Sequence, residues 1–379
     1  MRVIVLGAGL VGGAMAKDLA SDQDFQITVA DLDPANLDKL KDDSRIQRTK
    51  ADLSDSTTLS GLVKDSDLVV GALPGHMGFR ALRTVIESGK DMVDISFFPE
   101  DPFELDQLAK ERKVTAVVDC GVAPGCSNLI LGYVASVLEE TESFSCYVGG
   151  LPKMRTWPYE YKAPFSPSDV IEEYNRPARF VENGRVVTKP ALSEIELLDL
   201  PGVGTLEAFN TDGLRSLIKT MKVPCMKEKT MRFPGHAEKM RMLRETGFFS
   251  QRPLLVGGVD VRPLDLTSKL LFSLWKLDEG EEDFTVMRIE VEGKKDGKRK
   301  RFVFDLLDHY DKKNRTLSMA RTTGYTCTTV ARLLARKKFT HVGICPPEFL
   351  GQDHECYRSI MDGLKEKGIN FQEKVEELN

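Results

Sequence analysis

The chain has 379 residues, 41% hydrophobic and 29% charged, with a formal net charge of -5. That length predicts two domains with a core large enough to need no metal or disulfide staple. The acidic balance argues against a nucleic-acid or anionic-membrane surface. The seven cysteines lack CxxC spacing, and the five histidines are scattered without an HxxxH pair; a reducing cytoplasm and no metal site are expected. The first residues enter a strand at once and no apolar run reaches membrane-spanning length, so neither a signal peptide nor a membrane span is expected.

Residues 1–138 alternate strand and helix signals. The strand-like runs are RVIVL (2–6), QITVA (26–30), DLVVGA (67–72), DMVDI (91–95) and TAVVDC (115–120), with helical patterns at 12–20, 34–41, 57–64, 79–88 and 103–112. Short Val/Ile-rich strands separated by helices predict a Rossmann-type α/β fold, a doubly wound parallel sheet. Near Phe144 the style changes. SFSCYVGGLP reads as a strand ending in a turn, and 151–168 has four prolines and no helical period. Residues 285–311 read as a hairpin turning at Asp296-Gly297, with KKDGKRKR as a solvated tip. In the tail, 339–350 gives a strand and a turn, and 359–373 an amphipathic helix. The expected division is a nucleotide domain, 1–125 completed by 340–379, and a second α+β domain with a mixed sheet, 126–339.

GAGLVG places Gly7, Gly9 and Gly12 after a strand and at the start of a helix. Gly7 permits the tight turn, Gly9 the approach of a pyrophosphate, and Gly12 close packing of helix on strand. The helix N-terminus, through Leu10 and Val11, would face the phosphates. Asp31 ends the second strand, where a carboxylate accepts from ribose hydroxyls and repels a 2′-phosphate; NAD is favoured over NADP. Asp52 and Leu53 are expected to flank the adenine. Ala72, Leu73 and Pro74 are expected near the ribose or nicotinamide, outside the carboxyl ends of the strands.

With these motifs in place the chain resembles the saccharopine dehydrogenase-like superfamily. The resemblance is carried by GAGLVG, ALPGH, DCGVAPGCSN, VGGLP, the NG…LSEIE run, GTLEAFNTDG, KTMRFPGHAEKMRML, TTGYT and CPPE. It implies a nucleotide domain completed by the tail, a central domain that holds substrate and makes dimers, and nicotinamide-linked chemistry at a carbon bearing an amine. The chain resembles the L-lysine 6-dehydrogenase type. Saccharopine reductases resemble L-D-P-G where this chain has Ala123, and tend to have Cys where it has Val148. A saccharopine or carboxynorspermidine condensing reductase is the alternative, and a non-catalytic NAD-binding regulator a third.

Lysine 6-dehydrogenation needs a base for the ε-ammonium and a cationic clamp for the α-carboxylate. His236 is the candidate base and Arg232 the candidate clamp; the alternatives are a turn or helix-start histidine in a polar network and a surface ion pair. Glu207 is a second candidate base. Thr211 and Asp212 are candidate substrate ligands, with a helix-capping pattern as the alternative. In VVDCGVAPGCSNLI (117–130), Gly125 opens a turn whose N–H groups, through Ser127, are candidates for holding a carboxylate, and Cys120 is a small wall residue beside it. Tyr159, Tyr161 and Tyr174 are read as packing aromatics. The expected partners are a small amino-acid or amine substrate and a second copy of the chain.

Overall fold

The computed structural model describes residues 1–378. The chain divides into two compact units. The first comprises Met1–Val137 and Met319–Asn370; the second comprises Leu138–Ser318 and the tail strand Gln372–Glu377. Among the described residues no helix is long and apolar enough to cross a membrane.

The first unit holds a parallel sheet. Its strands are β1 (Arg2–Leu6), β2 (Gln26–Asp31), β3 (Ile46–Lys50), β4 (Leu68–Gly71), β5 (Asp91–Asp94) and β6 (Thr115–Val117). They lie in the order β3-β2-β1-β4-β5-β6, and Gly343–Cys345 completes the far edge. The strands are near-continuous apolar runs because both faces are covered. Val3, Ile4, Val5 and Leu6 of β1 and Leu68, Val69 and Val70 of β4 are all buried. The order reverses between β1 and β4, which places a crevice at their carboxyl ends. Helix α1 (Leu10–Leu19) buries Gly12, Ala14, Met15, Ala16 and Leu19. Its Asp18 binds Arg332 at 2.7 Å and also binds Lys367, which fastens two later helices to α1.

The second unit is built on a nine-stranded mixed sheet. Strand Glu140–Pro152 runs parallel to Cys225–Arg232 and antiparallel to Asp283–Lys295. Asp283–Lys295 and Lys298–His309 form the expected hairpin. Asp296 (φ 54°) and Gly297 (φ 72°) make its two-residue turn, the conformation this dipeptide favours. The basic tip is paired with acids, Lys294 with Glu140 and Arg299 with Glu142.

The division differs from the expected one at each boundary. Helix Cys126–Val137 and residues Met319–Asn370 belong to the first unit. Their buried faces, including Leu129, Ile130, Leu131, Cys327 and Val330, explain why. The tail helix is His354–Glu366, closed by Gly368 at φ 80°. The residues after it form a strand that pairs with Lys298–His309 in the second unit, Val375 opposite Phe302.

Candidate functional site

Between β1 and α1 only Gly7, Ala8 and Gly9 turn the chain. Gly7 has φ 99°, and its N–H donates to the Ala30 carbonyl at 2.8 Å. A Cβ on Gly7 would lie 2.5 Å from the Ala72 carbonyl oxygen, and one on Gly12 2.1 Å from that of Gly7. Glycine is therefore what lets strand, turn and helix close together, and the closure brings Ala72 and Leu73 of the β4 end to the loop. Gly9 is different: a Cβ there would meet nothing within 4 Å. No side chain caps α1, and its first turn has no acidic residue. The first N–H groups of a helix have no partner within it, so those of α1 are available to an anion.

Asp31 ends β2 beside this loop. Its Oδ2 accepts the Ala8 N–H at 2.6 Å and its Oδ1 the Asp33 N–H at 2.7 Å, so the carboxylate is fixed at the rim of the turn. The Ala51 N–H donates to the Asp31 carbonyl at 3.0 Å, which brings the end of β3 alongside. There Asp52 is exposed, and its Oδ1 accepts the Ser54 N–H at 2.9 Å. Hydrogen bonding to Ser54 holds the Asp52 carboxyl below its ordinary range. The Leu53 side chain is turned into the core, so it offers only backbone at the rim. Leu32 directly follows Asp31 and Leu10 opens α1; both are about half exposed, apolar surface of the kind a base stacks on. Leu32 and the Ala8 N–H were not identified from sequence; the apolar residue directly after the strand-end acid was the available signal. Loop, helix terminus, Asp31 and the β4 end together fit a dinucleotide. Gly9, Leu10, Val11 and Gly12 would hold the pyrophosphate, and Asp31 the ribose hydroxyls.

The second glycine turn is closed on itself. Gly125 has φ 143°, and a Cβ there would overlap the Gly121 backbone. The Gly125 N–H donates to Asn128 Oδ1 at 3.3 Å, the Cys126 N–H to the Gly121 carbonyl at 3.0 Å, and the Ser127 N–H to the Val122 carbonyl at 3.3 Å. This corrects the expectation that these N–H groups hold a carboxylate. Asn128 Nδ2 in turn donates to Glu348 Oε2 at 3.1 Å, so the turn anchors the CPPE segment. Cys120 is fully buried, and its N–H donates to the Asp94 carbonyl at 2.9 Å.

In the second unit, GTLEAFN forms strand Gly204–Asn210, with Glu207 paired opposite Arg232. The Glu207 side chain is buried and turned to the start of the next helix. Its Oε2 accepts the Gly235 N–H at 2.7 Å and its Oε1 the Ala237 N–H at 2.5 Å. Gly235 is the N-cap of helix His236–Glu245, so Glu207 serves as that helix's missing cap. Both oxygens are engaged, which corrects its reading as a base.

His236 is the first residue of that helix and is 1% exposed. Its Nδ1 lies 3.0 Å from the Tyr159 carbonyl, which can only accept, so Nδ1 carries the proton. Nε2 then accepts from the Tyr174 hydroxyl at 2.9 Å. Burial, followed by the Arg232 charge, pushes the imidazole down to about 3. A closed, neutral histidine takes no substrate proton near neutral pH; the helix-start alternative is the one the structure shows.

Arg232 is 2% exposed and already has a carboxylate, Glu173 at 2.8 Å. Its guanidinium lies 4.5 Å from the Tyr161 ring, and its Nε donates to the Tyr174 hydroxyl at 3.4 Å. It is the centre of an internal cluster and not an open clamp. Burial pushes the Tyr174 phenol up to about 12, so Tyr174 stays a proton donor to His236. Trp275 packs edge-on against Tyr159, Tyr161 and Tyr174. Asp212 is engaged by Arg179 at 2.9 and 2.8 Å, and the Thr211 hydroxyl by that of Thr230 at 3.0 Å. Neither caps a helix. The structure thus brings together His236, Arg232, Tyr161 and Tyr174, and turns Glu207, Thr211 and Asp212 to structural partners.

A doubly wound sheet with a glycine loop, an uncapped helix and a strand-end carboxylate defines a dinucleotide-binding fold. Comparison with known proteins then gives the family. Residues 3–117 match the Saccharopine dehydrogenase NADP binding domain, and residues 121–369 the Saccharopine dehydrogenase C-terminal domain. The chain belongs to the saccharopine dehydrogenase family. Saccharopine dehydrogenase (NADP(+), L-glutamate-forming) of Schizosaccharomyces pombe is 24% identical over 463 residues, covering 98% of each chain. Carboxynorspermidine synthase of Vibrio cholerae is 24% identical over 394 residues, covering 93% of each. The mitochondrial alpha-aminoadipic semialdehyde synthase of Mus musculus is 24% identical over 265 residues, 66% of this chain and 28% of that one. The chain thus spans under a third of the length of that synthase. The solved apo saccharopine dehydrogenase (L-Glu forming) from Saccharomyces cerevisiae has the same fold, with a TM-score of 0.80 at 19% identity over 99% of each chain.

Proposed function

We propose that the chain is a nicotinamide-dependent oxidoreductase acting at a carbon–nitrogen bond of an amino acid or related amine. The observation that carries this reading is the open end of α1. Its glycines are sterically required at Gly7 and Gly12 and leave free space at Gly9, the shape a pyrophosphate fills. The names of the relatives, a saccharopine dehydrogenase and a carboxynorspermidine synthase, support chemistry between an amine and a carbonyl.

The favoured cofactor is NAD. The Asp31 carboxylate is fixed at the rim of the glycine loop by the Ala8 and Asp33 N–H groups, and a carboxylate at a strand end of this kind would repel a 2′-phosphate. The matching family model is described as NADP binding, so the preference rests on Asp31 itself.

The favoured substrate is L-lysine, oxidised at the ε-carbon. A Cε–H bond breaks, its hydride leaves with both electrons, and the nitrogen lone pair forms a C=N bond while one proton is lost. Water then hydrolyses the imine to aldehyde and ammonia, or the α-amine displaces ammonia to close a ring. The bound nicotinamide supplies the hydride acceptor. The chain supplies the anion site at α1 and the ribose contact at Asp31. VAPG and the Val148 position support this reading over the condensing reductases. The end-to-end coverage by the saccharopine and carboxynorspermidine enzymes favours the condensing reaction as the second reading.

Product analysis separates them. Purified protein is incubated with NAD and, separately, L-lysine, saccharopine or carboxynorspermidine, and the products are identified by mass. Ammonia release from L-lysine alone supports the first reading. Cleavage of saccharopine or carboxynorspermidine with lysine untouched replaces it with the second.

A further inference from the structure

Beyond Asp31, the adenine of a bound dinucleotide would meet Leu32, 59% exposed, as an apolar neighbour. A flat base has two faces to shield from water. Leu53 is turned into the core and covers neither. One side chain from a different element reaches this rim. Arg80 lies in helix Gly75–Glu87, which begins after the Ala72–Pro74 segment at the β4 end. It is an exposed residue, yet its side chain does not run out into water. Its Nη2 donates to the Ser54 carbonyl in the turn after β3.

That turn is fixed without Arg80. Asp52 Oδ1 accepts the Ser54 N–H at 2.9 Å. Asp55 caps helix Ser56–Val63 by accepting the Thr57 and Thr58 N–H groups at 3.2 and 3.1 Å. Leu53 anchors the turn in the core. The turn therefore holds Arg80, and not the reverse. Among the described residues Arg80 forms no ion pair, and Ser54 takes up one guanidinium N–H. The charge is nonetheless close to both acids of the turn. Hydrogen bonds from Ser54 hold the Asp52 carboxyl low and those from Thr58 and Thr57 hold Asp55 low, and Arg80 adds to both effects. A guanidinium bonded at its edge keeps its flat faces for a ring.

We propose that Arg80 closes the adenine site: its guanidinium, held at Ser54, is the second face against which the base stacks, Leu32 being the first. A purine presents a π-face that an arginine plane binds by stacking and cation–π attraction, with no reading of the base edge. A role for Arg80 as ligand of a 2′-phosphate fits less well. The Asp52 and Asp55 carboxylates beside it offset its charge and would repel a phosphate.

This inference rests on the dinucleotide reading of α1, and binding to the full chain tests it. NADH, NADPH and reduced nicotinamide mononucleotide, which lacks the adenosine half, are titrated by fluorescence, and ADP-ribose by displacement of NADH. Arg80→Ala should melt like the parent. It should weaken NADH, NADPH and ADP-ribose by one common factor, about tenfold, and leave the mononucleotide unmoved. Arg80→Lys keeps the charge and loses the plane, so it should bind NADH as weakly as Arg80→Ala; Arg80→Tyr keeps a plane and should recover most of the affinity. Parental NADH affinity in Arg80→Ala overturns the proposal. So does an equal loss for the mononucleotide, full rescue by lysine, or a loss confined to NADPH, which would make Arg80 a phosphate ligand. Gly9→Ala keeps the two readings apart. NADH binding that is weakened by Gly9→Ala and untouched by Arg80→Ala removes the adenine wall alone, and a parent that binds no NADH removes both.

Discussion

The Glu207 carboxylate lies 2.7 Å from the Gly235 N–H and 2.5 Å from that of Ala237, and so caps the helix that begins at His236. A residue with the type and setting of a catalytic base thereby performs a structural task. Glu207→Ala would leave buried N–H groups without an acceptor and should cost about 2 kcal/mol. Glu207→Gln, which keeps one acceptor, should cost less. Urea unfolding measures both, and NADH affinity should be unchanged in both. Full stability with lost turnover in Glu207→Gln would restore the base.

His236 gives the stability of the second unit an acid-sensitive limb. Unfolded, the ring takes up its proton near 6.5; folded, near 3. Between those values the unfolded chain binds more protons, so stability is complete above pH 6.5 and falls as pH drops toward 3. The slope is about 1.4 kcal/mol per pH unit for one such group. His236→Gln, which does not titrate, should show a shallower decline across that window. Denaturant melts at several pH values measure it; equal slopes for variant and parent would contradict the buried neutral ring.

Two glycines of one motif should fail differently. Gly12→Ala sets a methyl 2.1 Å from the Gly7 carbonyl oxygen. It should lower thermal stability and cofactor affinity together. Gly9→Ala meets nothing, so it should melt like the parent while NADH binding, followed by fluorescence, weakens by about tenfold. A Gly9→Ala variant with parental NADH affinity would remove the pyrophosphate from the end of α1.

Asp18 bears on the first unit alone. Its side chain is 7% exposed and holds Arg332, itself 11% exposed. Breaking such a buried pair by removing one partner costs about 3 kcal/mol. Asp18→Ala should therefore lower the unfolding midpoint substantially, while the conservative Asp18→Glu costs less. Equal midpoints for Asp18→Ala and parent would contradict the link.

What the sequence made legible was local. GAGLVG, the acid at Asp31 and the Asp296-Gly297 turn each depend on a few adjacent residues, and the structure forms all three. The parallel sheet followed from its Val/Ile-rich strands. The second unit was less legible because its polar side chains are assigned by pairing at long range. Glu207 finds backbone N–H groups 28 and 30 residues away, and Asp212 finds Arg179 33 residues back. The GVAPG turn takes up the N–H groups of residues 125–127 through Asn128 and its own Gly121 and Val122 carbonyls, which no spacing rule announces. The tail strand QEKVEE has one apolar residue, Val375, and hid behind a helical pattern. Its place is set by Phe302 and by Lys298, which binds Glu377 at 2.8 Å.

The most direct test of the reading is the near-ultraviolet absorbance of the nicotinamide during incubation of purified protein with L-lysine and NAD, then with NADP. The account predicts reduction of NAD that depends on L-lysine and is slower with NADP. Tight NADH binding with no turnover of lysine, saccharopine or a carbonyl–amine pair in either direction would contradict it, and would leave a dinucleotide-binding protein without the reaction.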